Sequence, residues 1–290
     1  MFRIALPNKG RLAEDARRLF ADAGLDVRTS GDRALTASLG GRFQAIFVRA
    51  ADIPEFVADG TASLGVTGWD LVAESDRSVD SVLDLEIGRC RLSVAAREDG
   101  SIRAVSDVPV GARVATSFPR LTARFFEALD RDIELVAISG AAEIAPHLGI
   151  ADIIVDLVST GSTLRVNGMR EVGTVLESSA RLIASTQTAN ALRTGSGPRE
   201  LCGLVSAIES VVRARTQRYL MANVPRARLA DVQRILPGLG GPTVVDVLNG
   251  GEHVAVHAVV PASNIYDTMD CLRAVGATGL LVTRIERLVP

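Results

Sequence analysis

The hydrophobic pattern begins with a short apolar run, FRIAL, a polar loop, PNKG, and then RLAEDARRLFADAG, where Leu12, Ala16, Leu19, Phe20 and Ala23 fall on one helical face. Gly24 follows as a stop signal. The same strand-loop-helix order recurs in FQAIFVRAADIPEFVADG, where a strand ends at Arg49 and a helix starts near Asp52-Ile53-Pro54, with proline early in its first turn. ASLGVTGWDLVAES repeats it, and the runs RLSVAA and ARVATS read as strands each followed by a helical pattern. This alternation predicts an α/β protein with a mostly parallel sheet and helices on both faces.

After REVGTVLESSARLIAS the texture changes to a polar helical stretch with a loop-like insert, RTGSGPRE, and then an amphipathic helix, LVSAIESVVRARTQRYL. The remainder reads as a separate unit: strand YLMANV, helix RARLADVQRIL, strand TVVDVL, turn Asn249-Gly250-Gly251, strand HVAVHAVV, helix NIYDTMDCLRAVG, strand LLVTRIERLV. That order is βαββαβ, the ferredoxin-like pattern. Leu229, Val232, Ile235 and Leu236 share one face of its first helix, and Ile265, Met269 and Leu272 one face of its second.

Length and composition narrow the picture. A chain of 290 residues suggests two or three domains, and with 47% hydrophobic but only 4% aromatic residues the core must rest on aliphatic side chains. The net charge of −2 gives no global positive field to draw nucleic acid or an acidic membrane, so an anion site must be local. Cys90, Cys202 and Cys271 are odd in number and far apart, which predicts reduced thiols and neither a zinc site nor a disulfide framework. The start, MFRIALPNKGRLAED, forms no signal-peptide core, and no apolar run has the length of a membrane span, so a cytoplasmic protein is expected.

In an open parallel sheet, ligands bind beyond the carboxyl ends of the strands, and the unusual polar clusters of this chain sit there. In DLVSTGSTL, Asp156 precedes four hydroxyl side chains, Ser159, Thr160, Ser162 and Thr163, around Gly161. The stretch reads either as a hydroxyl-rich turn capping a helix or as a backbone cup for a phosphate, with Asp156 suited to ribose hydroxyls or, through water, to a magnesium shell. An acid followed by S-T-G-S-T also resembles the loop of type I phosphoribosyltransferases, but Leu157 stands where their second acid would be.

Lys9 is the sole lysine among 32 basic residues, and its place in a strand-end loop suggests a need for a compact ammonium. Arg11 and Arg49 can complete a cationic patch suited to pyrophosphate. In GVTGWDLV, Asp70 can cap a helix or meet a ligand, and Trp69 reads as packing. Glu143 can face a cleft from a helix start. No Ser-His-Asp arrangement occurs, and His147, His253 and His257 have no metal-ligand spacing, so no nucleophile or catalytic base is assigned.

Taken together, RIALPNKGRL, GVTGWDLV and LGIADIIVDLVSTGSTLRVNGMREV resemble the long form of the ATP phosphoribosyltransferase family, over essentially the whole chain. The resemblance implies a two-lobed, periplasmic-binding-protein-like catalytic core, a type IV phosphoribosyltransferase, plus a C-terminal ferredoxin-like βαββαβ regulatory domain. It places residues 1–89 and 180–214 in lobe I, 90–179 in lobe II, and 215–290 in a histidine-binding domain.

It further implies transfer of phosphoribosyl from phosphoribosyl pyrophosphate to N1 of ATP, the first step of histidine biosynthesis, with Mg²⁺ and feedback inhibition by histidine. A homo-oligomer, from dimer to hexamer, is implied as well. Asp156 and Ser159, Thr160, Gly161, Ser162 and Thr163 would bind the ribose and its 5′-phosphate. Lys9 and Arg49 would meet pyrophosphate, and Arg11, Asp70 and Glu143 would line the ATP side. Thr243, in GLGGPT, would lie by the histidine effector. Two other readings compete: a non-catalytic two-lobed binding protein with a sensing tail, and a type I phosphoribosyltransferase acting on a free base. The missing signal peptide and the absence of a helix-turn-helix pattern oppose the first; Leu157 and the C-terminal domain oppose the second.

Overall fold

The computed structural model describes residues 1–29, 31, 34–238, 240–247 and 251–289. The turn expected at Asn249-Gly250-Gly251 falls largely on Asn249 and Gly250, outside the described residues.

The first lobe runs β1 (Arg3–Pro7), α1 (Arg11–Asp22), β2 (Val27–Thr29), β3 (Thr36–Leu39), β4 (Phe43–Val48), α2 (Ile53–Ala58), β5 (Leu64–Gly68), α3 (Trp69–Ser75) and β6 (Val79–Asp84). The chain then crosses into a second lobe, with β7 (Cys90–Arg97), β8 (Ala112–Thr116), α4 (Pro119–Glu127), β9 (Ile133–Ala137), β10 (Ile153–Val158), α5 (Ser162–Val166) and β11 (Met169–Ser178). It returns in β12 (Ala180–Ser185), followed by α6 (Thr186–Arg193) and α7 (Arg199–Arg215).

Two sheets result, ordered β2-β3-β4-β1-β5-β12-β6 and β11-β7-β10-β8-β9. The first is centred on β1, whose Ile4, Ala5, Leu6 and Pro7 are all buried between β4 and β5. Helix α2 starts with Pro54 in its first turn and buries Ile53 and Val57 against Ala5, Val72 and Ile183. The second sheet has apolar material on both faces. Leu92, Val94 and Val155 pack with Phe118 and Phe126 on one side; Ala95, Ile154 and Val158 pack with Ala142 and Ala145 on the other.

The expectation of mostly parallel pairing is corrected. In the first sheet only β1–β4 and β1–β5 are parallel, while β2–β3, β3–β4, β5–β12 and β6–β12 are antiparallel. In the second, β8–β9 and β8–β10 are parallel, β7–β10 and β7–β11 antiparallel. The cause is the double crossing between lobes: β12 re-enters the first sheet from the second lobe instead of arriving by a helical crossover. Nor does a helix follow RLSVAA; a 3-10 turn, Val105–Asp107, stands between β7 and β8.

The chain divides into two compact units, Met1–Arg18 with Asp26–Cys202, and Leu19–Leu25 with Gly203–Pro290. In the latter, α7 ends at Arg215 and Gln217 is already extended, so the expected helix through Tyr219 and Leu220 is too long. From there come β13 (Gln217–Pro225), α8 (Leu229–Ile235), β14 (Thr243–Asp246), β15 (His253–Pro261), α9 (Ile265–Ala274) and β16 (Thr278–Arg284). The sheet is antiparallel throughout, ordered β14-β15-β13-β16, the ferredoxin-like arrangement of a βαββαβ chain. Val232, Leu236 and Leu272 are fully buried against Leu220, Val224, Val254 and Val256, with Leu229, Ile235, Ile265 and Met269 packed around them.

Candidate active site

Three neighbouring parallel strands of the first lobe deliver their carboxyl ends side by side. Pro7 at the end of β1 is in register with Val48 at the end of β4, and the Asn8 amide donates to the Val48 carbonyl at 2.9 Å. With strands spaced about 4.8 Å apart, the loops carrying Lys9 and Arg49 leave the sheet as neighbours, and the turn after β5 carries Asp70. Lys9 and Arg49 are exposed, as is Arg11, whose side chain, 93% accessible, lies 3.8 Å from Asp15.

Asp70 differs from its neighbours. The N-cap of α3 is Gly68, not Asp70, and the Asp70 carboxylate is buried. Ser178, at the end of β11 where the chain leaves the second lobe, donates its hydroxyl to Asp70 Oδ1 at 2.5 Å and accepts from the Asp70 amide at 3.0 Å. A Cβ at Gly68 would come within 2.4 Å of Asp70 Oδ1, so only glycine permits this approach. Burial raises the Asp70 pKa, and the Ser178 hydroxyl partly offsets that.

On the second lobe, β10 ends in the loop Ser159–Gly161, and α5 begins at Ser162. Gly161, the N-cap of α5, has φ +72°, a left-handed conformation. Helix α5 is only one turn long, so the loop's own donors must dominate any anion binding. Thr160 and Ser162 hydroxyls lie 2.9 Å apart, and Ser159, Thr160, Ser162 and Thr163 are all exposed.

Asp156 stands across from Ser93 of β7 on the sheet face packed by Ala142 and Ala145. Its pKa is raised, chiefly by burial and further by the charge of Glu143, while the Leu157 amide, donating at 2.8 Å, lowers it. Glu143 lies in the 3-10 turn Ala142–Ile144, whose Ala142 packs on the same face of the sheet. Leu157, at the position of the absent second acid, points the other way and is 40% exposed.

Four hydroxyls and an acid at one strand end suit a phosphorylated sugar. The donors are hard oxygens, and among the described residues no group of three His, Cys, Asp or Glu side chains could hold a metal ion. Such oxygens would suit magnesium carried mainly by substrate phosphates, with Asp156 reaching it at most through water.

Arg91, Ser93 and Glu171, which support this loop, and Ser178, which holds Asp70, were not singled out from the sequence. In the sequence they are ordinary polar positions of strands; only Glu171 and the loop's Arg165, inside the long motif, lay in a stretch already marked. Thr243 belongs to the other compact unit. In the C-terminal unit it lines a cavity of about 240 Å³ with Tyr219, His257, Gly240 and Gly241, where the Tyr219 hydroxyl meets His257 Nδ1 at 2.5 Å.

Fold and site together define a class: a two-lobed α/β core bearing a glycine- and hydroxyl-rich loop at a strand end of one lobe and cations at the strand ends of the other. The sequence profile of ATP phosphoribosyltransferase matches residues 49–209, and that of the HisG C-terminal domain matches residues 214–287. The chain belongs to the ATP phosphoribosyltransferase family. The enzyme of that name from Gemmatimonas aurantiaca is 63% identical over the full length of both chains, and that from Methanocaldococcus jannaschii 42% identical, again over both full lengths. Among solved structures, the ATP phosphoribosyl transferase (HisG:HisZ) complex from Thermotoga maritima superposes with a TM-score of 0.62 at 23% identity, covering 74% of this chain and all of that one, a likeness of fold.

Proposed function

We propose that the protein transfers the 5-phosphoribosyl group of phosphoribosyl pyrophosphate to N1 of ATP, releasing pyrophosphate. The observation that carries this reading is the hydroxyl loop at the end of β10, with Asp156 half-buried at its base, in a chain full-length similar to enzymes of that name. Asp156 accepts from the ribose hydroxyls, and Ser159 to Thr163 enclose the 5′-phosphate. Lys9 and Arg49 take the pyrophosphate, whose departure needs charge stabilisation more than a covalent nucleophile. Arg11, Glu143 and Asp70 lie on the ATP side. Magnesium, when bound with the pyrophosphate, neutralises its charge. Pyrophosphate release measured with each of ATP, phosphoribosyl pyrophosphate and Mg²⁺ omitted in turn tests the assignment: all three must be required, and release without ATP would overturn it.

The cavity beside Thr243 supports inhibition by histidine. It offers a phenol, an imidazole and glycine-rich backbone to a small zwitterion. We place the protein in the cytoplasm, in keeping with free Cys90, Cys202 and Cys271 and with the lack, among the described residues, of any helix long and apolar enough to cross a membrane. Assembly from dimers to a hexamer follows from the family resemblance, and light scattering of the purified chain checks it.

A further inference from the structure

Beneath the hydroxyl loop lies a set of side chains that the reaction itself does not use. Arg91 on β7 and Glu171 on β11 form a two-point pair, Nε to Oε2 at 2.6 Å and Nη2 to Oε1 at 2.5 Å. Ser93, fully buried, donates to Glu171 Oε2 at 2.9 Å. The remaining nitrogen of Arg91, Nη1, donates to the Ser159 carbonyl at 3.3 Å. From α5, Arg165 Nη2 donates to the Thr160 carbonyl at 3.4 Å. Gly161 lies directly over these groups: a Cβ there would stand 3.2 Å from Glu171 Oε1 and 3.4 Å from Arg165 Nη1.

Two consecutive loop carbonyls are therefore turned back onto guanidinium groups. In a trans peptide the carbonyl and the following amide point in opposite directions, and no cis peptide bond occurs among the described residues. Fixing the Ser159 carbonyl aims the Thr160 amide away from Arg91, and fixing the Thr160 carbonyl aims the Gly161 amide away from Arg165. A planar guanidinium held at two points by a carboxylate has a set orientation, so its third donor can act as a fixed clamp; a lysine ammonium could not do both.

We propose that Arg91, locked by Glu171 and Ser93, and Arg165 are positioning residues that set two peptide planes of the loop so that the Thr160 and Gly161 amides face the 5′-phosphate. The inference rests on the phosphoribosyl pyrophosphate reading of this loop and adds the device that shapes it. Glu171 has a second task, since its charge lies under the loop and keeps both arginines directed at carbonyls and away from the substrate phosphate.

Steady-state kinetics of the full chain with Arg91→Lys, Glu171→Gln and the milder Ser93→Ala test this, alongside each variant's unfolding midpoint. A loop whose amides are misaimed by about 1 Å should raise the KM for phosphoribosyl pyrophosphate about 10- to 100-fold in the first two variants and less in the third, with KM for ATP unchanged. Arg91→Ala and Glu171→Ala combined should lose no more than the worse single variant, as members of one clamp do. Losses that multiply, equal rises in both KM values, or unchanged kinetics in variants that fold normally would overturn the proposal. The unsubstituted chain measured in parallel separates the two levels: its failure to turn over would overturn the functional reading, whereas normal turnover with indifferent variants would overturn only the clamp.

Discussion

At the strand ends of the first lobe, Lys9 and Arg49 stand exposed on loops that carry little beyond charge, while on the second lobe the loop after β10 has its backbone gripped by Arg91 and Arg165 and its acid half-buried. The contrast matches the two ends of the proposed sugar substrate. A 5′-phosphate that stays bound through the reaction rewards fixed donors, which spend no ordering entropy on binding. A pyrophosphate that must depart is better met by long, solvated cations that follow it. Asp70 belongs to neither pattern: bonded to Ser178 where the chain leaves the second lobe, it ties the turn after β5 to the crossover between lobes.

The contrast breaks first, if it is wrong, at the cations. Lys9→Ala or Arg49→Ala should lower kcat/KM by about 100- to 1,000-fold, the range for losing a group that stabilises developing charge, with ATP binding retained. Asp156→Ala or Thr163→Ala should weaken phosphoribosyl pyrophosphate about 10- to 100-fold, the range for a hydrogen bond to a charged group, again sparing ATP; equal losses for both ligands would reduce the loop to a structural turn. In the C-terminal unit, Thr243→Val or Tyr219→Ala should shift half-inhibition by histidine upward about 10-fold without changing uninhibited turnover, and an unshifted inhibition curve would move the effector elsewhere.

The smallest effect is on stability, and its sign is diagnostic. Asp70 and Asp156 both have raised pKa values because of burial. Their contribution to stability is thus fully present below the ordinary carboxylate pKa and lost as pH rises through the raised values, so at neutral pH each ionised carboxylate is a cost. Asp156→Asn should therefore raise the unfolding midpoint at pH 7 by about 2–4 °C while impairing the reaction, and the gain should vanish under acid conditions. The same titration should weaken phosphoribosyl pyrophosphate binding at a pH where an ordinary aspartate would still be ionised. A lower midpoint for Asp156→Asn at pH 7 would contradict the burial cost.

The regular elements were legible because each strand-loop-helix unit carries its own signals: apolar alternation, Pro54 in a first turn, Gly24 past a last one. Lys9 stood out by rarity and the hydroxyl loop by density. Strand direction was not legible, since the hydrophobic period of β7 or β12 is the same whichever way the neighbour runs, and the chain crosses twice between sheets. For the same reason the supports were hidden. Arg91 and Glu171 are 80 residues apart and Asp70 and Ser178 108 apart, joined only once β11 pairs with β7 and the crossover meets α3. Nothing local in either sequence segment announces its partner.

The division of labour between the lobes is tested most directly by equilibrium titration of ribose 5-phosphate and of phosphoribosyl pyrophosphate into the unsubstituted chain, Thr163→Ala and Lys9→Ala. The loop variant should lose affinity for both ligands by a similar factor, and the lysine variant should lose it only for the pyrophosphate-bearing ligand. A Lys9→Ala chain that binds ribose 5-phosphate as poorly as Thr163→Ala does would contradict the assignment of the two phosphate groups to opposite lobes.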